Sequence, residues 1–268
     1  MQVIDLIIYP IKSMGGISLK SAQLEERGLA YDRRWMLVDE SGLFVSQRKY
    51  PKLALFHISI EDRSLLVLNK STGNQISIPL TPQGNSIQVR IWDDVIEATE
   101  VSGTISKWFS SEIGIDVKLV FMPENTRRRV DVKYAHNDEI VSFADGYPLL
   151  VVNTASLHDL NRKLEQSVRM DRFRPNIIID GANPFEEDNW REILINSQRV
   201  KLVKKSARCV MVDNDPITAV KSGQVLKTLS NYRKENNKVY FGINGLISMP
   251  GVIEIGDRVE VVEAIKTA

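Results

Sequence analysis

Cys209 is the only cysteine in the 268-residue chain, and it stands in the stretch LVKKSARCVMVDNDP. Three kinds of chemistry are open to it: filling a core, attacking a substrate, or binding a soft metal. Arg208 precedes it, and Lys204 and Lys205 lie just upstream. Positive charge favours the thiolate, the form that attacks or ligates. Strand alternation sends neighbouring side chains to opposite faces, so Arg208 helps only if the backbone bends at the cysteine. The run Asp213-Asn214-Asp215-Pro216 predicts a turn soon after, and Asp213 and Asp215 read as turn residues or as acids close to the site. A cysteine nucleophile needs a histidine base. His57, His136 and His158 are the candidates, and none stands in a recognisable catalytic setting. A metal ligand needs companions instead, and three histidines with one cysteine supply few. The ligand reading therefore calls for a metal that arrives with other ligands attached, inside an organic cofactor.

Four further clusters carry polar chemistry. In YPIKSMGG, Lys12 and Ser13 follow a Tyr-Pro and precede the turn at Gly15-Gly16. A lysine and a hydroxyl in such a turn make a phosphate grip or an ordinary loop, and the glycine spacing is not that of a Walker A loop. In YDRRWMLVD, Arg33 and Arg34 point to opposite faces if extended, so one faces inward and needs an anion or a carboxylate. In DRFRPN, Arg174 and Asn176 flank a fixed proline bend. Thr154 and Ser156 open the helix TASLHDLNRKLEQSV, where they serve as a plain cap or the free N–H groups hold an anion. Arg127, Arg128 and Arg129 sit in a charged stretch that reads as a solvated loop, or as one where a single arginine lines an anion pocket.

The elements that must position these residues are mostly strands. RRWMLVDESGLFVSQR and LLVLNKSTGNQISIPL are hairpin signals with polar glycine turns. GTISKWFSSEIG and VLKTLSNYR predict short helices. In the longer helix, Ser156 and Asp159 fit a capping box, and Leu157, Leu160, Leu164 and Val168 share one face. FRPNIIID feeds a buried strand, and GVIEIGDRVEVVEA closes the chain with two more. Many short strands with few helices favour barrels over a βαβ layer. The charged middle from Pro123 to Glu139 marks the domain boundary, giving units at 1–122 and 123–268.

Composition sets outer bounds. A net charge of +1 gives no general attraction to nucleic acid or anionic lipid. One cysteine forms no internal disulfide and no [2Fe–2S] cluster within the chain. No apolar run approaches a membrane span, and the start MQVIDLIIYP lacks a signal-peptide pattern. A cytoplasmic protein is the expectation.

Taken in order, YPIKSMGG, YDRRWMLVD, VSFADGYPLLVVNTASLHDLN, FRPNIIIDG, EEDNW, ARCVMVDNDP, LKTLSNYR and a final G-x-x-x-x-G-D span nearly the whole chain. This ordered set resembles the molybdenum-cofactor sulfurase C-terminal (MOSC) family with its N-terminal β-barrel domain. Similar proteins are the mitochondrial amidoxime reducing component and YcbX-like proteins. The resemblance implies a mainly β fold with minor helices, an N-terminal β-barrel-like domain followed by a MOSC β-barrel domain. It also implies a molybdenum cofactor, a pyranopterin whose dithiolene sulfurs hold the metal. By that likeness Lys12, Ser13 and Arg33 grip the phosphate end. Thr154, Ser156, Arg174 and Asn176 surround the pterin, beside Arg208, and Cys209 ligates molybdenum.

The implied activity is removal of oxygen from small N-hydroxylated substrates such as amidoximes, hydroxylamines and N-hydroxylated bases. Two electrons and two protons enter, and an amidine or amine and water leave. Relatives often carry Cys-x-Arg-Cys, where this chain has Ser206-Ala207-Arg208-Cys209. YcbX-like proteins continue into a ferredoxin-like domain, whereas this sequence stops after the second barrel. A separate iron–sulfur, haem or flavin protein is thus the expected electron donor. The alternative implied by the family is sulfur transfer, or cofactor maturation or carriage, through Cys209.

Overall fold

The computed structural model describes residues 1–135 and 137–265. His136, one of the three candidate bases, lies outside the described residues. Alternation builds many of the strands: along Ser64–Asn69, Leu65, Val67 and Asn69 are buried while their neighbours are half-exposed, the period of a sheet covered on one face.

The first half of the chain runs through β1 (Gln2–Ile8), β2 (Ile17–Leu19), β3 (Ser21–Glu25), β4 (Gly28–Leu29), β5 (Trp35–Val38), β6 (Phe56–Glu61), β7 (Ser64–Asn69), β8 (Gln75–Pro79), β9 (Ser86–Ile91), β10 (Asp94–Glu100), α1 (Gly103–Ile113) and β11 (Lys118–Phe121). The second half supplies β12 (Leu149–Asn153), α2 (Thr154–Asn161), β13 (Ile177–Asp180), β14 (Trp190–Ile195), β15 (Gln198–Arg208), α3 (Gln224–Ser230), β16 (Lys234–Glu235), β17 (Lys238–Ile247), β18 (Gly251–Glu254) and β19 (Val259–Ala264). The fold is mainly β with minor helices, as the hairpin signals and turn spacing led us to expect.

Among the described residues, a nine-stranded sheet has the order β19-β14-β15-β17-β12-β13-β1-β2, with β16 on β17. A four-stranded sheet, β5-β11-β10-β9, and two three-stranded sheets, β18-β3-β4 and β6-β7-β8, complete the strands. β1 pairs with β13, Leu6 opposite Ile177, and β18 pairs with β3. The chain's first strands are thus woven into the sheet that carries Cys209. This crossing brings the Lys12 turn and the cysteine to one place.

Three local expectations change. The return of the first hairpin forms only an isolated bridge, Val38 to Phe44, and β5 takes β11 as its ladder partner. Asp39 turns the chain by accepting from the backbone N–H of Ser41 and Leu43, and Ser46–Arg48 then leaves the sheet. The N-cap of α2 is Asn153, whose side chain accepts from the Ala155 N–H, instead of a Ser156–Asp159 box. The Ser156 hydroxyl is bonded to a buried glutamate, Glu187. α2 also stops at Asn161, short of Val168. The Asn161 side-chain amide brackets the Val168 backbone from both sides, at 3.0 and 2.9 Å, closing a loop where the apolar spacing suggested more helix. Leu157, Leu160, Leu164 and Val168 still share a cluster with Phe173 and Phe241. α2 itself forms the crossover between the parallel strands β12 and β13.

Candidate functional site

A cavity of about 500 Å³ is lined by Lys12, Ser13, Arg33, Asn176, Arg208 and Cys209, with Arg174 beside them. Cys209 is half-buried and free. β15 ends at Arg208, and its register shifts between Lys205 and Ala207. A 3-10 turn, Val210–Asp213, begins directly after the cysteine. The bend breaks the alternation of the strand, and so Arg208 and Cys209 reach the same cavity.

The cationic side chains are held firmly. Lys12 Nζ donates to the Phe143 carbonyl at 2.8 Å and to Asp145 at 2.6 Å. Burial pushes the Lys12 amine down to about 8, against the pull of Asp145. Burial works to raise the Asp145 carboxyl, and the charge and hydrogen bond of Lys12 outweigh it, leaving the group below the usual carboxylate range. Arg33 pairs with buried Asp32 at 2.5 Å and donates to the Arg174 carbonyl at 3.0 Å. Arg33 and Arg174 both lie over the Tyr9 ring, at 4.4 and 4.1 Å. Arg174 donates from Nη1 to the Met14 carbonyl at 2.6 Å, and burial with nearby Arg33 pushes its guanidinium down to about 10. Arg208 donates to the Phe173 carbonyl at 2.7 Å and to Ser206. Its guanidinium is lowered by burial, opposed by Cys209. Among the described residues, Arg174 Nη2 and Arg208 Nε are buried with no hydrogen-bond partner. Buried donors left unpaired cost about 1–3 kcal/mol each, more when charged, so these two await an acceptor.

Ser13, Arg33, Trp92 and Arg174 all line this cavity, and all have positive φ, at 70°, 50°, 56° and 56°. The left-handed region costs a non-glycine residue roughly 1–2 kcal/mol, and such strain concentrates at functional sites. Gly16, three residues after Ser13, packs closely against Tyr9. A Cβ there would meet the Tyr9 ring at 2.6 Å.

Other expected residues stand elsewhere. Thr154 and Ser156 do not line the cavity. Leu149 and Leu150 at the start of β12 do, and the helix start follows the opposite end of that strand, roughly 13 Å on at 3.3 Å per residue. Thr154 bonds Asp180. Ser156 is fully buried, donates to Glu187 at 2.8 Å and accepts from the Phe185 N–H. Asn176 lines the cavity, but its amide is engaged with the backbone of Leu150 and Ile7, at 3.1 Å each. It braces β12 against β1. Arg127 pairs with exposed Glu26, as a solvated loop requires. Arg128 is buried at the cavity and holds the carbonyls of Ser142 and Ala144, fixing the loop that bears Asp145. Asp213 caps α3 by accepting from the Val225 N–H, and Asp215 pairs with Arg172 at 2.7 Å. Both are structural. His57 and His158 are absent from the cavity wall, so neither stands beside Cys209 as a histidine base. The sequence reading missed Arg48, Trp92 and Asp145. The Trp-Asp-Asp hairpin tip after β9 was the available signal, since such tips favour Gly, Asn or Asp.

Glu187 is a separate feature with a measurable consequence. Burial pushes its carboxyl up to about 7, against the hydrogen bond from Ser156. The folded value lies above the ordinary 4.5, so the unfolded chain loses its proton first as pH rises. Stability therefore falls across pH 4.5 to 7, by roughly 3 kcal/mol in total from this group. Glu187→Gln is expected to flatten that slope in urea melts, and an unchanged slope would show that the fold does not hold the carboxyl neutral.

Two family models match the chain. The MOSC N-terminal beta barrel domain matches residues 1–116, and the MOSC domain matches residues 138–260. This chain belongs to the MOSC family. Mitochondrial amidoxime-reducing component 1 of Mus musculus is 32% identical, over 96% of this chain and 81% of the relative. Mitochondrial amidoxime reducing component 2 of Homo sapiens is 33% identical, over 96% and 82%. The Homo sapiens molybdenum cofactor sulfurase is 29% identical over 96% of this MOSC chain, which spans 32% of that protein. These names correct the expected cytoplasmic location, because both reducing components are called mitochondrial. The expectation rested on the lack of a signal-peptide pattern and of a membrane-span run, and neither names a compartment. Among the described residues, no helix is long and apolar enough to cross a membrane.

Proposed function

We propose that this MOSC protein is a molybdenum-cofactor-dependent reductase of small N-hydroxylated compounds, with Cys209 as the protein's ligand to the metal. One observation carries the reading: Cys209 shares a cavity with Lys12, Arg33 and two arginines whose buried nitrogens lack acceptors. A thiol bordered by cations and unsatisfied donors suits an anionic, phosphate-bearing group with a soft metal. Among the described residues, no group of three or more His, Cys, Asp or Glu is placed to bind a metal ion.

Lys12, Ser13 and Arg33 would hold the phosphate end, Arg174 and Arg208 the pterin, with Asn176 keeping β1 and β12 in place behind them. Thr154 and Ser156 have no part in this grip. When bound, the cofactor supplies the two-electron chemistry that removes oxygen from nitrogen. The chain's own residues would bind the anion and orient it toward Cys209. A separate iron–sulfur, haem or flavin protein delivers the electrons. We place the division between the two units at 122/123; the family models match residues 1–116 and 138–260.

Sulfur transfer, or cofactor maturation or carriage, through Cys209 is the weaker reading. The match to the sulfurase covers a third of that protein, against four fifths of the reducing components. The deciding experiment is expression in a cofactor-competent host, followed by molybdenum analysis and benzamidoxime reduction with a reduced dye as donor. Bound molybdenum with turnover is expected. Bound molybdenum with no turnover would favour carriage.

Lys12 makes the grip sensitive to pH. Below about 8 its amine is charged and holds an anion. Inorganic phosphate is expected to bind the cofactor-free protein several-fold more weakly at pH 9 than at pH 7, by calorimetry. Stability moves the other way. The unfolded lysine keeps its proton to the ordinary 10.5, so the fold gains stability between about pH 8 and 10.5. Phosphate affinity that does not fall would remove Lys12 from the grip.

A further inference from the structure

Phe44, Arg48 and Trp92 form a wall of the same cavity, and the cofactor grip makes no use of them. Trp92 is the first residue of the two-residue turn between β9 and β10, in the left-handed region at φ 56°. A bulky aromatic is disfavoured there. Its ring is held by Phe44, with centroids 4.8 Å apart, and by Nε1 donating to Asp145 at 3.3 Å. The Arg48 guanidinium lies 4.3 Å from the Trp92 ring centroid. Its buried Nε has no partner among the described residues.

The segment carrying Arg48 is braced from two sides. Gln47 donates to the Ser13 carbonyl at 2.7 Å. Asn214, five residues past the cysteine, donates to the Gln47 carbonyl at 3.2 Å, and Lys221 donates to the Arg48 carbonyl at 3.1 Å. The wall is therefore fixed relative to both the Lys12 turn and the Cys209 loop. Of the four acids on the cavity wall, Asp145 is engaged by Lys12 and Asp94 by Arg128, with Asp93 and Asp131 beside them. Cations outnumber carboxylates around the cavity, a field that favours neutral or anionic ligands and repels an amidinium product.

We propose that Trp92, Phe44 and Arg48 are the substrate-recognition wall, selecting planar N-hydroxylated compounds that carry an anionic group. The planar part stacks on Trp92 and the anion pairs with the Arg48 guanidinium. This rests on the reductase reading and adds its substrate class.

The test compares benzamidoxime, 4-carboxybenzamidoxime and acetamidoxime on the molybdenum-loaded protein. Wild type is expected to favour 4-carboxybenzamidoxime. Arg48→Ala lowers its kcat/KM about tenfold, mainly through KM, with a smaller loss for benzamidoxime. Trp92→Leu lowers both aromatic substrates about tenfold and acetamidoxime less, while Trp92→Phe keeps most of the preference. Molybdenum content stays at the wild-type level in all three variants.

Binding is read independently by quenching of tryptophan fluorescence with 4-carboxybenzamidoxime, with no electron donor present, and Trp92→Leu removes most of the quench. Equal losses on all three substrates, loss of molybdenum, or an undiminished quench in Trp92→Leu would overturn the proposal. A loaded wild type that quenches but reduces none of the three would sink the reductase reading and leave the wall standing.

Discussion

Cys209→Ser is expected to fold normally, keep its pterin and lose benzamidoxime reduction by more than roughly 100-fold. That figure is the upper range for groups that merely orient a metal ligand, and a direct ligand should exceed it. The fold should survive because Cys209 belongs to none of the buried apolar clusters. Its structural contribution is its carbonyl, which accepts from the Val212 N–H at 3.2 Å, and serine keeps that bond. Substitutions away from the core usually move stability by less than about 0.5 kcal/mol. Circular dichroism, oxidative pterin release and turnover on one preparation separate the three quantities. A variant that reduces benzamidoxime at the wild-type rate would remove the thiolate from the site.

Arg174→Ala is the second large effect. Arg174 touches the Met14 carbonyl, the Tyr9 ring and the Arg33 side chain, and it keeps one buried nitrogen without a partner. A charge-assisted bond to an anion contributes about 1.5–3 kcal/mol, or roughly 10–100-fold in cofactor retention. Pterin per chain after purification should fall by that factor. Arg174→Lys restores charge without the planar fork and should recover only part of it. Full pterin content in Arg174→Ala would show that the orphaned nitrogen faces nothing that binds.

How far the sequence carried depends on the range of each signal. Local patterns were legible. The glycine-turned hairpin of β7 and β8 and the helix α1, with Ile105 and Phe109 buried and Ser102 capping it, follow from periodicity and caps. Cys209, Lys12, Arg33 and Arg174 stood out in the sequence as polar residue types in or beside turns, and the structure gathers them in one cavity. The partners of each strand were not legible. Nothing local in β1 announces β13 as its neighbour, nor β11 as the partner of β5. The place of Thr154 and Ser156, away from that cavity, was not legible for a related reason. A helix start always presents free N–H groups, and only the tertiary fold decides whether they face a cavity or, as here, Asp180 and Glu187. Arg48 and Trp92 escaped because their roles arise between a loop and a hairpin tip far apart in sequence.

The measurement closest to the central claim is X-ray absorption at the molybdenum edge on the loaded protein and on Cys209→Ser. The account predicts one sulfur ligand fewer in the variant, with the pterin still bound. An identical sulfur count in both proteins would contradict it, because the metal would then owe nothing to Cys209.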